Sequence, residues 1–150
     1  MDETAGPEAR QGVAPFLHTI RVAWSDCDPA HIAYTGRIPY FALDAIDAWW
    51  DTYVGLDWYK LNIDRDIGTP FVHMTLDFRS TVTPRHPLIC EVSLLKIGSR
   101  SIRHGVRGRQ NGVLCFEGEF VSVFVVARTM KPRRPPEELL AAIKPLLAKA

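Results

Sequence analysis

A helical repeat of apolar side chains in the first half of the sequence leaves few folds open to the chain. Apolar residues recur there at steps of three and four, while most aspartates of the same stretch fall on another face. The apolar positions are Ile38, Phe41, Ala42, Ala45, Ile46, Trp49 and Tyr53. This spacing predicts an amphipathic helix of about four turns that ends near Gly55. Its apolar stripe is wide enough to be wrapped by a sheet.

The other periodic segments have strand patterns. Alternation from Phe16 to Trp24 predicts a strand before the helix. Four more strand patterns follow the helix, over residues 71–82, 88–97, 101–110 and 113–127. Asn111-Gly112 predicts a tight hairpin between the last two, and Gly118 a kink in the final strand. One long helix followed by successive strands predicts an α+β fold, with an antiparallel sheet wrapped around the helix.

The 150 residues fit one domain. Residues 1–15 contain glycine and proline but no apolar core, so we interpret them as a flexible tail rather than a signal peptide. Residues 16–150 form the predicted domain. A proline-rich connector leads there to a short C-terminal helix that Pro145 ends.

Composition argues against several functional classes. A net charge of +1 does not suit a general nucleic-acid binder. The three cysteines form no CxxC pair and have no histidine at metal-ligand spacing, which favours neither a disulfide framework nor a metal site. No apolar run approaches the length of a membrane span. We therefore expect a cytoplasmic protein without metal, cofactor, nucleic acid or membrane partner.

The loop between the first strand and the long helix is the best candidate for chemistry. Its sequence is Asp26-Cys27-Asp28-Pro29-Ala30-His31-Ile32-Ala33-Tyr34. A helix start presents unpaired N–H groups that can polarise a carbonyl, and a nearby carboxylate could attack that carbonyl or deprotonate a water. The alternative is that the two aspartates only shape the turn.

This loop, followed by an aromatic helix with Leu43-Asp44-Ala45, resembles the 4-hydroxybenzoyl-CoA thioesterase family of hotdog-fold enzymes. The resemblance extends from about Leu17 to Ala127 and includes Gly68-Thr69-Pro70 and the turn Gly98-Ser99-Arg100-Ser101. It implies a hotdog fold and hydrolysis of an acyl-CoA with an aromatic, short-chain or medium-chain acyl group. The alternatives are a hotdog hydratase or dehydratase, and a non-catalytic module that binds acyl-CoA.

The resemblance also implies roles for individual residues. Asp28 matches the catalytic carboxylate, which acts as nucleophile or general base. The N–H groups that polarise the thioester carbonyl match the neighbourhood of Tyr34 and Thr35. His31 occupies a position where close relatives have glycine.

Substrate-binding roles follow from the same resemblance. Ser99, Arg100 and Ser101 match a turn that binds CoA phosphates, usually from a partner subunit. Asp44 and His73 are suggested neighbours of the acyl pocket, with a structural role as the alternative. Because an open antiparallel sheet leaves an edge strand unpaired, we expect a homodimer or homotetramer.

Overall fold

The structure is a computed structural model that describes residues 14–148; most of the predicted tail, residues 1–13, lies outside the described part. The helices are α1 (Arg37–Trp49), α2 (Trp58–Asp64) and α3 (Glu137–Ile143). The strands are β1 (Phe16–Ile20), β2 (Ile67–Gly68), β3 (Phe71–Phe78), β4 (Leu88–Ile97), β5 (Ser101–Gln110), β6 (Val113–Val123) and β7 (Val125–Val126). A π-helical segment, Trp50–Val54, extends α1 to Gly55, whose left-handed backbone ends the helix as predicted.

Five strands form one antiparallel sheet in the order β1-β4-β5-β6-β3. Val106 of β5 lies between Val92 of β4 and Gly118 of β6, so the three central strands are in register at the middle of the sheet. Strands β2 and β7 pair separately. Within the described part of the chain, β1 and β3 are therefore the edges of the large sheet.

Helix α1 packs on one face of this sheet, where the alternation of each strand places its buried side chains. Trp49 of the helix, His104 of β5 and Phe120 of β6 are almost fully buried there. The opposite face carries Arg–Glu ion pairs between neighbouring strands, among them Arg103 with Glu119 and Arg107 with Glu117. The predicted α+β architecture, a sheet around one long helix, is confirmed.

Local structure differs from the sequence predictions at several points. The strand predicted over residues 71–82 ends at Phe78, and the strand predicted over residues 113–127 ends at Val123. The first strand ends at Ile20, and a 3-10 turn covers Trp24–Asp26. Helix α2 was not predicted; it begins because the Asp57 side chain accepts a hydrogen bond from the Lys60 N–H. The kink predicted at Gly118 is wrong, because that glycine pairs regularly on both sides and leaves room for the Thr75 carbonyl.

No helix within residues 14–148 has the length and hydropathy needed to cross a bilayer.

Candidate active site

The loop before α1 contains a tight turn from Asp28 to His31. The His31 N–H donates to the Asp28 carbonyl at 2.9 Å, and the Asp28 N–H donates to the Ile32 carbonyl at 3.0 Å. Within the turn, Asp28 Oδ1 accepts the Ala30 N–H at 2.8 Å, and Pro29 is pre-organised for its position. The second carboxylate oxygen of Asp28 has no hydrogen-bond donor among the described residues, so it is available to a substrate or a water.

His31 ends this turn in the left-handed backbone region, with φ of 65°. Side chains other than glycine adopt this conformation at a cost. The imidazole packs against Trp24, with the ring centroids 5.8 Å apart. A bulky aromatic pair therefore stands beside Asp28.

Asp26 is tied into the fold. Its side chain accepts hydrogen bonds from the Ala23 N–H at 2.8 Å and from Arg37 Nε at 3.0 Å. Arg37 is the first residue of α1, so this contact joins the loop to the helix start. The turn-shaping role predicted for Asp26 agrees with these contacts.

The start of α1 offers free backbone donors. The Tyr34 N–H is engaged, because it donates to the Asp26 carbonyl at 2.8 Å. Among residues 14–148, neither the Thr35 N–H nor the Gly36 N–H donates a hydrogen bond. No side chain caps the helix, and its first turn contains no acidic residue. The partial positive charge of this helix end is therefore available to polarise a carbonyl or hold an oxyanion.

A cavity of about 250 Å³ opens beside these donors. Thr35 and Ile38 line it from the helix start, and Ile32 and Ala33 line it from the Asp28 loop. The opposite wall comes from the end of β3 and from β6, including Phe78 and Phe116. Asp28 is not itself a lining residue, but its N–H donates to the carbonyl of Ile32, which lines the cavity, so the Asp28 turn adjoins the cavity at the helix start.

The turn Gly98–Ser101 lies at the other end. It joins β4 to β5 through two exposed residues, Ser99 and Arg100, and is closed by the Gly98 N–H donating to the Ser101 carbonyl at 2.8 Å. The ten residues of β5 separate Arg100 from Gln110, which bonds the backbone of Thr83 near the cavity. At about 3.3 Å per residue, Arg100 is roughly 30 Å from the Asp28 end.

Arg100 has basic neighbours that are distant in sequence. The Phe124 N–H donates to the Arg100 carbonyl at 2.8 Å, and the Arg133 N–H donates to the Phe124 carbonyl at 3.0 Å. The backbones of Arg100 and Arg133 therefore flank the same residue, with Lys131 and Arg134 close by in the connector. None of these four cations lies within 4.0 Å of an acidic side chain of the described residues, unlike the arginines on the open face of the sheet, although Arg133 is near enough to Asp66 to help lower the pKa of that carboxyl, which is held down first by the Arg128 N–H.

Two suggested pocket residues lie away from the cavity. His73 is on edge strand β3 and shares a face with Thr75 and Asp77, the face opposite α1. Asp44 is exposed on α1 above β4; burial, with a smaller contribution from this carboxylate, raises the pKa of Cys90 to about 12. Neither residue contacts the cavity within this chain.

No cluster of three or more histidine, cysteine or acidic residues suited to a metal ion occurs in the described residues.

An antiparallel sheet wrapped on one helix, with a carboxylate loop at the helix start, defines a hotdog-fold protein. The family model of the thioesterase-like superfamily matches residues 22–143, and the chain belongs to this superfamily. Family membership supports thioester hydrolysis as the class of reaction. The resemblance noted in the sequence is thus confirmed at the level of the superfamily.

Solved structures agree with this assignment. The chain is 48% identical to a thioesterase superfamily protein from Jannaschia sp. CCS1, with a TM-score of 0.87 over 90% of this chain and 94% of that one. A 1,4-dihydroxy-2-naphthoyl-CoA thioesterase from Synechocystis shares the fold at 18% identity, with a TM-score of 0.77 over 85% and 94% of the two chains. A gentisyl-coenzyme A thioesterase, BH1999, does so at 19% identity, with a TM-score of 0.75 over 83% and 99%. None of the curated proteins compared with the chain matches it.

Sequence reasoning missed two parts of this arrangement. Ser80 and Thr81 line the cavity although they lie in a segment predicted as strand. The hydrogen-bond acceptor of the Tyr34 N–H, which decides which amide is free, was not predicted. The Thr-Pro-Arg-His-Pro sequence at 83–87 signalled a loop nearby, but no local pattern showed that the carbonyl of the preceding Val82 would accept the Ala33 N–H.

Proposed function

We propose that the protein hydrolyses an acyl-CoA to a free acid and CoA, with Asp28 as the catalytic carboxylate. One observation supports this most strongly: Asp28 and the unpaired Thr35 N–H lie at the same uncapped helix start, next to an apolar cavity. The thioester carbonyl oxygen would accept a hydrogen bond from Thr35, and the acyl group would enter the cavity. Thr35 is a better donor candidate than Tyr34, whose N–H is already bonded to Asp26.

In the general-base route, Asp28 takes a proton from a water as the water oxygen attacks the carbonyl carbon. The resulting oxyanion is held by the Thr35 N–H, the C–S bond then breaks, and CoA leaves as a thiolate that takes up a proton. In the nucleophilic route, the free oxygen of Asp28 attacks the carbonyl carbon, the C–S bond breaks and CoA leaves as a thiolate that takes up a proton; water then hydrolyses the mixed anhydride to the free acid and restores Asp28. In either route, helix-start donors stabilise charge that develops only during reaction.

The nucleotide end of CoA is assigned to Ser99, Arg100 and Ser101, with Arg133 as a further cation. Guanidinium groups and hydroxyls are good phosphate donors. The four unpaired cations near this turn supply positive charge where CoA carries negative charge. This extends the predicted phosphate site to a second segment of the chain.

The roughly 30 Å between Arg100 and the Asp28 end suggests that two subunits share each site. Strand β3 is a sheet edge, and Met74 and Phe78 on its helix-side face are 40% and 54% exposed. If β3 pairs antiparallel with β3 of a second copy, the end of β3 at Phe78 lies next to the end at Phe71 in the other copy. That pairing brings the Arg100 turn of one subunit to the Asp28 end of the other. We therefore propose a homodimer as the minimal active unit, which two dimers could extend to a tetramer.

Release of CoA thiol, followed with a thiol reagent, tests the proposal. Wild-type protein should release thiol from at least one acyl-CoA in a panel of aromatic, short-chain and medium-chain substrates. Asp28→Asn should lower turnover by roughly 10²- to 10⁴-fold, the usual effect of losing a positioned acid or base. The fold should be retained, because asparagine can still accept the Ala30 N–H. Asp64→Asn, an exposed carboxylate at the end of α2, is the matched control.

Three results would contradict the proposal. Binding of acyl-CoA without thiol release would favour a non-catalytic module, and hydration of an enoyl-CoA would favour a hydratase. Turnover by Asp28→Asn equal to that of Asp64→Asn would remove Asp28 from the mechanism.

A further inference from the structure

The cavity beside Thr35 is lined without a single ionisable carboxylate, ammonium or guanidinium group. Its apolar walls are Ile32, Ala33, Ile38, Phe78, Val82, Cys115 and Phe116. Its remaining lining residues, Thr35, Ser80 and Thr81, carry neutral hydroxyls. Within this chain, a group that enters the cavity meets hydrocarbon, hydroxyls and the Thr35 N–H, but no charged side chain.

The arginines that neighbour these residues in sequence are committed elsewhere. Arg37 pairs with Asp26 at 2.9 Å and lies over the rings of Tyr40 and Phe41. Arg79 contacts Asp77 and Glu117, which both belong to the opposite face of the sheet. Neither cation is available to neutralise an anion in the cavity.

The cavity has a volume of about 250 Å³ and is partly open to solvent. It therefore gives room for an acyl group without setting an upper limit on the length of that group.

We propose that this cavity restricts the enzyme to acyl groups without a charge, and that the uncharged side chains of Ser80 and Thr81 determine this selectivity. The inference rests on the proposed thioesterase function and names the substrate class of the same site. A carboxylate at the far end of the acyl group would be partly desolvated among these apolar side chains, with no cation of the same chain to pair with it. An apolar or hydroxylated acyl group meets no such penalty.

Two substrates of equal size and shape test charge alone. Glutaryl-CoA and 5-methylhexanoyl-CoA differ only in that a terminal carboxylate replaces an isopropyl group, and both acyl groups contain eight non-hydrogen atoms. Wild-type enzyme should prefer the uncharged substrate by at least about 100-fold in kcat/KM, as expected for an unpaired buried charge. If it hydrolyses both with similar kcat/KM, the inference fails while the proposed function stands. If it hydrolyses no acyl-CoA, the proposed function fails and the inference with it.

Thr81→Arg tests the residue assignment. Thr81 is exposed at the cavity rim, so the substitution should be accommodated by the fold and should place a cation at the cavity. The preference for 5-methylhexanoyl-CoA over glutaryl-CoA should fall by at least about tenfold. Ser80→Arg is the second variant, and Thr52→Arg, an exposed threonine after α1, controls for added charge alone. If neither rim variant changes the preference more than Thr52→Arg does, Ser80 and Thr81 do not set the selectivity.

Discussion

The Asp26 carboxylate and the Arg37 guanidinium form an ion pair, with 2.9 Å between Oδ1 and Nη2, that joins the loop before α1 to the first residue of the helix. Asp26 is only 8% exposed, and its backbone carbonyl also accepts the Tyr34 N–H. One residue thus holds the helix start by side chain and main chain together. This anchoring keeps the neighbouring Thr35 N–H in place without occupying it.

Asp26 should therefore contribute more to stability than to chemistry. We expect Asp26→Asn to lower the free energy of unfolding by about 1–3 kcal/mol, because it removes charge-assisted hydrogen bonds. Its effect on turnover should be smaller than that of Asp28→Asn. Urea denaturation and steady-state kinetics of both variants measure the two effects. A variant at position 26 that is fully stable but less active than Asp28→Asn would reverse the assignments.

Arg100→Ala should raise KM and leave kcat little changed, since the contact with phosphate is present in both the bound substrate and the transition state. The effect should shrink with rising salt, as an exposed electrostatic contact does. It should also be smaller for an acyl-pantetheine, which lacks the nucleotide. Arg65→Ala serves as the control, because Arg65 is also an exposed arginine and contacts Glu138 at 3.9 Å. Equal losses on full-length and truncated substrates would place Arg100 away from the phosphates.

Met74→Arg should weaken association and activity together. Met74 is half-exposed on edge strand β3, where a second copy is proposed to pair, and a charge there disfavours burial. Light scattering should shift from a dimer or tetramer towards the 16.9 kDa of one chain, with a parallel fall in turnover. Val113→Arg, at an exposed hairpin end, should alter neither. A wild-type enzyme that is fully active as a monomer would contradict the shared site.

His104 should make the protein less stable in mild acid. The ring is fully buried against Trp49, with 4.6 Å between ring centroids, and neither nitrogen has a partner among the described residues. Burial lowers the pKa of His104 from 6.5 to about 3. Between these values the unfolded chain binds a proton that the folded protein does not. The protein therefore keeps its full free energy of unfolding above about pH 6.5 and loses part of it as the pH falls towards 3.

Protonation of His104 in the unfolded chain should lower the free energy of unfolding by up to about 1.4 kcal/mol per pH unit within that window. Urea denaturation at several pH values between 7.5 and 4.5 measures it. His104→Phe should flatten the pH dependence, whereas His73→Phe, at an exposed position, should not. Identical slopes for wild type and His104→Phe would show that other groups cause the acid sensitivity.

Much of the fold could be predicted from local patterns. The repeat from Ile38 to Tyr53 and the strand alternations depend only on which side chains share a face. The short helix α2 was not predicted. Asp57 caps its start locally, but the N–H of its first residue, Trp58, donates to Asp47, which lies eleven residues earlier in the chain. Gly118 was misread because its lack of a side chain serves contact with a neighbouring strand rather than a bend.

The sequence by itself determined the turn at Asp28, since aspartate, proline and a following small residue favour it through bonds within five residues. It also determined the apolar helix and the places of the main strands along the chain, which follow from short-range periodicity, but not that β3 would pair with β6 rather than with β4. Only the tertiary structure decided that Tyr34 gives its N–H to Asp26 while Thr35 keeps its own free. The same holds for the position of Arg133 beside Arg100 and for the distance of Arg100 from Asp28. These relationships depend on strand register and on packing between segments far apart in the chain, where a shift of one residue would exchange the partners.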